Sequence, residues 1–207
     1  MSKTWFDTLK RSFADVPVGE GNAISTTEFL EASESLATLF DVLGSKAFTP
    51  VKSDLLGNVK KLRDRQLAAP AESETVQALS VNELKTKKHT ASEGLLWLVR
   101  GLEFTVQSLR RHIDNPAEKL SDSFRGAYGT SLSKHHSWAM GKAFGFAMGA
   151  APDNESFYRS LAYVPAGGSV PEEDKKKIQE KLTREVQALE NIVSILQKFQ
   201  EQPEAKW

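Results

Sequence analysis

The sequence predicts an all-α protein, and three of its features lead to that fold class. Apolar residues recur three or four positions apart along nearly the whole chain, which is the spacing of helices and not of strands. Two segments carry the S/T-x-x-E pattern of a helix start, and glycine or proline stands where periodic segments stop. No long linker separates the roughly eight periodic segments, so we expect one domain over residues 1–207.

The first two helices are defined by the residues at their ends. Ser25 and Glu28 form one start pattern, and Gly44 suits a helix end in the left-handed conformation, which predicts a helix near residues 26–43. Pro50 suits the first turn of a second helix because its missing N–H would have no partner there. Ala69-Pro70 then ends or interrupts that helix.

The middle of the chain predicts a polar helix and then a central one. The polar helix runs through Val76 and Leu84, after which Thr90 and Glu93 form the second start pattern. The next segment is apolar on nearly all sides in its first turns, with Leu95, Leu96, Trp97, Leu98, Val99, Leu102, Phe104, Val106 and Leu109. A helix of that kind belongs in the middle of a protein.

The last third predicts three more helices. After Asn115-Pro116, apolar residues follow mostly at steps of four as far as Met148, which predicts one long helix with His136 in its apolar stripe. A shorter helix with Phe157 follows, and a final amphipathic helix covers residues 178–196.

The composition excludes several classes of function. Lys and Arg total 27, as do Asp and Glu, so the formal net charge is +0 and binding of nucleic acid by general phosphate electrostatics is disfavoured. The chain has no cysteine, which excludes disulfides and thiolate chemistry and favours a reducing compartment. It has no apolar run of signal-peptide or membrane-span length, so we expect a cytoplasmic protein with peripheral membrane contact.

Two features could bind a polyhydroxylated group. Asp54, Asn58 and Lys61 are spaced i, i+4 and i+7, so an acceptor, an amide and an ammonium share one helix face. The alternative is an ordinary solvated face. Trp97 could offer its indole plane to a sugar ring, or it could be a core tryptophan of an apolar helix.

The sequence offers no support for catalysis or for a metal. His135 and His136 are adjacent, so their side chains point about 100° apart on a helix, and neither has a His or carboxylate ligand at i+4. No nucleophile can be placed beside a base. We therefore expect a protein that is not an enzyme and has no cofactor.

Three blocks of sequence resemble the glycolipid transfer protein family. The first runs from Phe40 to Lys61 and is similar to the family's FD-x-LGS-x-x-FTP-x-x-x-D-x-x-x-N-x-x-K stretch. The second, residues 96–102, is similar to its LWLKRGL segment, and the third combines His136-Ser137-Trp138 with the AAP of residues 150–152. The resemblance implies a two-layer helical sandwich that carries glycosphingolipids between membranes.

The resemblance also implies roles for individual residues. Asp54, Asn58 and Lys61 would hydrogen-bond the first sugar, Trp97 would stack beneath it, and His136 would bond the ceramide amide region. The hydrocarbon pocket would be lined by Phe40, Leu43, Phe48, Leu132, Phe144 and Phe157. Trp138 would touch the membrane surface. Arg100 and Tyr128 also match the family, and the C-terminal Trp207 does not align with the tyrosine-containing end of animal members.

Two alternative functions fit the same fold. A ceramide-1-phosphate carrier needs several cations to meet its phosphate, and its relatives place basic residues where this chain has Asn58. A lipid sensor or adaptor would share the pocket and regulate a protein partner, which the sequence does not identify.

Overall fold

The computed structural model describes residues 3–207, and within that range all regular structure is helical. The helices are α1 (Thr26–Ala37), α2 (Leu39–Val42), α3 (Thr49–Ala68), α4 (Val76–Lys85), α5 (Thr90–Asp114), α6 (Leu120–Thr130), α7 (Trp138–Gly149), α8 (Asn154–Leu161) and α9 (Glu172–Gln200). The prediction of an all-α chain is confirmed.

Helix α5 lies at the centre of the molecule, as its apolar composition predicted. It contacts α3, α4, α6 and α9, while α1 packs on α3, and α8 contacts both α2 and α9. One continuous core of buried apolar side chains joins these elements. The position of α5 matters for the site, because residues of α5 face α3 on one side and α6 on another.

Three local features of the sequence behave as predicted. Gly44 has a φ of 73°, the left-handed conformation expected after the first helical segment. Pro50 lies in the first turn of α3, and the helix ends before Pro70.

The helix predicted over residues 26–43 is instead two helices, because it is interrupted at Thr38. The Thr38 hydroxyl donates to the carbonyl of Ser35 and accepts the Trp5 indole N–H at 2.8 Å.

Both predicted start patterns are wrong in their mechanism. The Ser25 side chain caps no N–H group of α1, because its hydroxyl donates to the Glu28 carboxylate instead. Thr90 is already the first residue of α5, and its side chain does not cap the helix. The first-turn N–H groups of Ala91 and Ser92 are instead bound by the buried carboxylate of Glu83 on α4, at 2.8 and 2.7 Å. A neighbouring helix therefore supplies the acceptor that we had expected from the local sequence.

The long helix predicted from Leu120 to Met148 is also wrong. Helix α6 ends at Thr130, a 3-10 turn covers Leu132–His135, and α7 begins at Trp138. The interruption is rich in serine, and serine side chains compete with helical hydrogen bonds: Ser131 bonds the Ala127 carbonyl, and Ser137 caps α7 by accepting from the N–H of Met140. His136 consequently lies in extended backbone and not within a helix.

Candidate functional site

The predicted trio lies on one face of α3. Asn58 is buried, and its side-chain amide donates to the carbonyl oxygen of Asp54 at 3.0 Å and lies 3.4 Å from an Asp54 carboxylate oxygen. The amide thus helps to hold the carboxylate in place one turn away. The side chain of Lys61 is half-buried on the following turn.

Two glycines of α5 allow α3 to approach closely at this point. A Cβ atom at Gly94 would lie 3.0 Å from Lys61 Cβ and 3.3 Å from the carbonyl oxygen of Asn58, and one at Gly101 would lie 2.7 Å from Leu55 Cδ2. A larger residue at Gly94 would push the helices apart because it would meet the Lys61 Cβ and the Asn58 backbone, whereas at Gly101 the tip of the Leu55 side chain could move. Gly94 therefore sets the spacing between the trio and α5. Trp97 follows Gly94 by about one turn of α5.

Trp97 is half-buried and surrounded by polar groups on more than one side. The guanidinium carbon of Arg100 lies 4.7 Å from the indole centroid. The ring of His136 stacks on the indole at a centroid distance of 6.2 Å, and His135 meets it edge-on at 6.4 Å. The structure therefore places Trp97 at the edge of the core beside charged and imidazole groups.

His136 lies between the polar side chains around Trp97 and the apolar interior. Its Nδ1 atom lies 3.2 Å from the hydroxyl of Tyr128, and its ring centroid lies 4.6 Å from that of Phe144. Burial lowers the pKa of the His136 imidazole, an effect that the nearby Asp54 carboxylate opposes. The imidazole is therefore neutral at pH 7 and has one donor and one acceptor nitrogen.

The environment of Asp54 is unusual for a carboxylate that solvent can reach. Part of its surface is exposed, yet the surrounding protein removes enough water to raise its pKa above the ordinary value. The His136 imidazole, when protonated, and the Lys61 ammonium oppose this rise in the pKa of Asp54. A partly desolvated acceptor gains more from a hydrogen-bonding ligand than a fully hydrated one does.

The six residues predicted to line a hydrocarbon pocket are all buried in one core, namely Phe40, Leu43, Phe48, Leu132, Phe144 and Phe157. Successive pairs of aromatic rings with centroids about 6 Å apart connect part of this set, in the order Phe40, Phe48, Phe124, Phe104 and Phe144. Because Phe144 also contacts His136, this row of rings leads from the polar group into the interior. Phe157 packs elsewhere in the core, against His112 and Tyr158.

Helix α7 exposes large apolar side chains to solvent. Trp138 is 76% exposed and Phe146 is 74% exposed, and they flank Lys142, whose ammonium lies 3.9 Å from the Trp138 ring centroid. Met140 is exposed on the same helix. We predicted Trp138 from the family resemblance and missed the others, although five large apolar side chains within twelve residues exceed what one buried stripe requires.

Trp207 and His89 form a separate aromatic pair at the beginning of α5. Their rings stack at a centroid distance of 5.8 Å with an interplanar angle of 15°, and the indole is exposed. His89 immediately precedes the first residue of α5. Sequence reasoning could not find this contact because the two residues lie at distant points of the chain.

Sequence reasoning also missed Gly94, Phe104 and Phe124 as parts of the site. A glycine within a strongly helical segment is the available signal for a close helix approach. Among residues 3–207, no cluster of histidine and acidic side chains has the arrangement of a metal site, and no helix has the length and apolarity needed to cross a bilayer.

Comparison with known proteins identifies relatives of the chain. The family model described as "Glycolipid transfer protein (GLTP)" matches residues 24–163. A protein of Aureobasidium melanogenum named "Glycolipid transfer protein" is 56% identical over 99% of this chain and 96% of its own length.

Solved structures agree with this relationship. The crystal structure of HET-C2, described as a fungal glycolipid transfer protein, superposes with a TM-score of 0.90 at 53% identity, over 99% of this chain and 100% of its own. A structure described as showing how FAPP2 selects simple glycosphingolipids with the GLTP fold matches with a TM-score of 0.84 at 32% identity, over 96% of this chain and 95% of its own. The predicted two-layer helical sandwich is confirmed.

Proposed function

The chain belongs to the glycolipid transfer protein family, and from that membership we propose that it carries glycosphingolipids between membranes without converting them. The 207 residues act as one domain in this proposal. Two tasks are separate: polar side chains at the surface recognise the sugar, and the apolar interior holds the hydrocarbon chains.

Recognition of the first sugar falls to the trio and Trp97. Each sugar hydroxyl can donate one hydrogen bond and accept others, so the Asp54 carboxylate accepts hydrogen bonds from hydroxyls while the Lys61 ammonium donates them. The amide of Asn58 orients the carboxylate. The apolar face of the sugar ring rests on the indole of Trp97. The guanidinium carbon of Arg100 lies 4.7 Å from the centroid of the same indole.

The amide region of the ceramide falls to His136. The neutral imidazole uses Nδ1 toward the Tyr128 hydroxyl, which leaves the second ring nitrogen for the lipid. Tyr128 fixes the ring orientation in this arrangement. Since His136 also contacts Phe144, the amide is placed where the polar group meets the apolar interior.

The interior replaces the bilayer as an environment for hydrocarbon. Each CH₂ moved from hydrocarbon into water costs about 0.8 kcal/mol, so a chain of about 16 carbons costs roughly 13 kcal/mol and rarely leaves a membrane unaided. The six predicted lining residues cancel most of that cost if they separate to admit the chain. The rings of Phe40 and Phe48 lie in contact within the core, so entry of a chain between them requires these side chains to move.

Contact with the membrane falls to the exposed face of α7. Trp138 and Phe146 suit the boundary between headgroups and hydrocarbon, and Lys142 suits the phosphate level. This face lies close to His136 in the chain, so the lipid can enter beside it. We propose that the protein works in the cytoplasm and meets membranes only transiently.

Ceramide-1-phosphate is the second candidate ligand. A phosphate site requires several cations, whereas the buried position between Asp54 and Lys61 holds the uncharged Asn58. Transfer rates of a glycosphingolipid and of ceramide-1-phosphate, measured side by side, distinguish the two ligands.

A lipid sensor is a further alternative. A protein partner whose affinity for this chain changes when lipid is bound would favour it.

One observation supports the proposal: α3 packs so closely on α5 that Asn58 and Lys61 lie against Gly94, about one turn of α5 before Trp97. Native mass spectrometry after incubation with mixed-lipid vesicles tests it, and we expect a glycosphingolipid bound at one per chain.

Asp54→Val removes charged hydrogen bonds of about 1.5–3 kcal/mol each, so transfer should fall at least tenfold with helix content unchanged. The matched control Asp64→Val alters a surface aspartate of the same helix that pairs with Lys60. Normal transfer by Asp54→Val would exclude the trio from the site.

A further inference from the structure

A groove of about 840 Å³ lies between the N-terminal segment, α2 and the loop after α8. None of the proposed sugar-binding residues lines it. Its walls include Trp5, Thr38, Val42, Tyr163, Val164 and Pro165. The groove is thus a separate feature that the proposed recognition of the headgroup leaves unexplained.

The charged residues at the groove already have partners within the protein. Lys10 pairs with Glu31 at 2.9 Å, and Glu34 pairs with Arg63 at 3.0 Å. The third charged residue, Asp41, is bound by Lys52 at 2.6 Å.

The indole N–H of Trp5 is also paired, since it donates to the Thr38 hydroxyl, which itself donates to the carbonyl of Ser35. A charged ligand would have to break these pairs. The lining therefore suits an uncharged, apolar occupant.

Only one helical turn separates the groove from the proposed hydrocarbon pocket. In α2, Phe40 is buried in the core while Val42 faces the groove. A smaller cavity of about 210 Å³ lies next to the groove: the two share Asp41 and Gly44, and the smaller one is lined by Phe40 and Phe48. A chain that passed between these two phenylalanine rings would enter the smaller cavity and could continue past Asp41 and Gly44 into the groove.

The length of α3 indicates which chains would reach that point. From Asn58 back to Thr49, nine residues at 1.5 Å each span about 14 Å. The hydrocarbon layer of a bilayer is roughly 30 Å thick, and one ordinary lipid chain fills about half of that thickness. The distance along α3 therefore matches the depth that one ordinary chain fills. An ordinary chain that starts at the headgroup site therefore ends near Phe48, and only a longer one must continue.

We propose that the groove is a subsite for the distal end of very long acyl chains, which leave the pocket between Phe40 and Phe48. This inference rests on the proposed transfer of glycosphingolipids and adds a selectivity for chain length. Each methylene left in water would weaken binding about fourfold, so a covered path for the last methylenes decides whether a long chain is carried.

The test compares transfer of two lipids that share a sugar and differ in acyl length, about 16 and about 24 carbons. Val42→Trp and Val164→Trp fill the groove from opposite walls. Val81→Trp is the matched control, because Val81 is a half-buried helical valine that lines a different groove. We expect both groove variants to lower the ratio of long-chain to short-chain transfer at least tenfold, with short-chain transfer and helix content retained, and the control to leave the ratio unchanged.

A second measurement does not depend on any variant. The unaltered protein is loaded with the long-chain lipid bearing a photoreactive group at its last carbon, and crosslinked peptides are identified by mass spectrometry. Crosslinks to Trp5, Val42 or Val164 support the subsite. Crosslinks confined to the interior, or an unchanged ratio in both groove variants, overturn it. Failure to transfer either lipid would instead refute the proposed function.

Discussion

Gly94→Ala tests whether the spacing of α3 and α5 positions the sugar site. The added Cβ would lie 3.0 Å from Lys61 Cβ and 3.3 Å from the backbone oxygen of Asn58, so the helices must separate by a few tenths of an ångström. Overpacking of this kind costs about 1–3 kcal/mol. Alanine recovers about 0.5–1 kcal/mol through its helix propensity, which leaves a net loss of up to about 2.5 kcal/mol.

Gly129→Ala is the matched control for that experiment. Gly129 lies within α6, and a Cβ atom there would meet no atom within 4 Å, so only the gain in helix propensity applies. At about 2–4 °C per kcal/mol for a chain of this size, the two variants should differ in Tm by several degrees.

We expect glycolipid transfer to fall several-fold in Gly94→Ala, because Lys61 and Asn58 move relative to Trp97, and to stay unchanged in Gly129→Ala. Thermal melting and vesicle transfer measured on both proteins provide the check. Equal Tm and equal transfer in the two variants would refute the argument that close helix contact builds the site.

Three further predictions follow from other buried groups. Glu83→Ala removes the acceptor of two N–H groups of α5 and should destabilise the protein by about 2–4 kcal/mol in urea unfolding, whereas a loss below about 1 kcal/mol would contradict the capping role. His112→Leu should raise the free energy of unfolding by about 1 kcal/mol, because both ring nitrogens of this 1% exposed histidine lack partners; a lower stability would show that the imidazole is bonded. Acidification should reduce transfer at a pH above the ordinary carboxyl value of 3.8, because burial raises the pKa of Asp54 and protonation removes its charge. Asp54→Asn should lose that step of the pH profile, and a step of the same size in this variant would assign it to another group.

The helical segments could be predicted from the sequence because their signals are local. Periodic apolar residues give the positions of α3, α5 and α9, and Gly44 and Pro50 mark helix ends through their own backbone preferences. The trio lies on α3 and Trp97 on α5, as the sequence predicted, whereas His136 lies in the extended segment between α6 and α7 and not in the predicted long helix.

Two predictions were wrong because the hydrogen bond that decides the local structure cannot be read from the spacing of apolar residues or of a start pattern. The apolar stripe continues from α6 into α7, so it gave no sign that the serine side chains at residues 131 and 137 interrupt the helix. The Thr90 pattern implied a local cap, whereas Glu83 on another helix supplies the acceptor.

The sequence by itself determined that this chain is helical, that it carries no net charge and no cysteine, and which family it resembles. Each of those conclusions depends on the residue types and on their order. Only the tertiary structure decided that α3 lies against the glycines of α5, that His136 stacks on Trp97, and that a groove adjoins Phe40. Those facts depend on distances between residues far apart in the chain, and such distances are fixed by how the helices pack and not by the periodicity of any one of them.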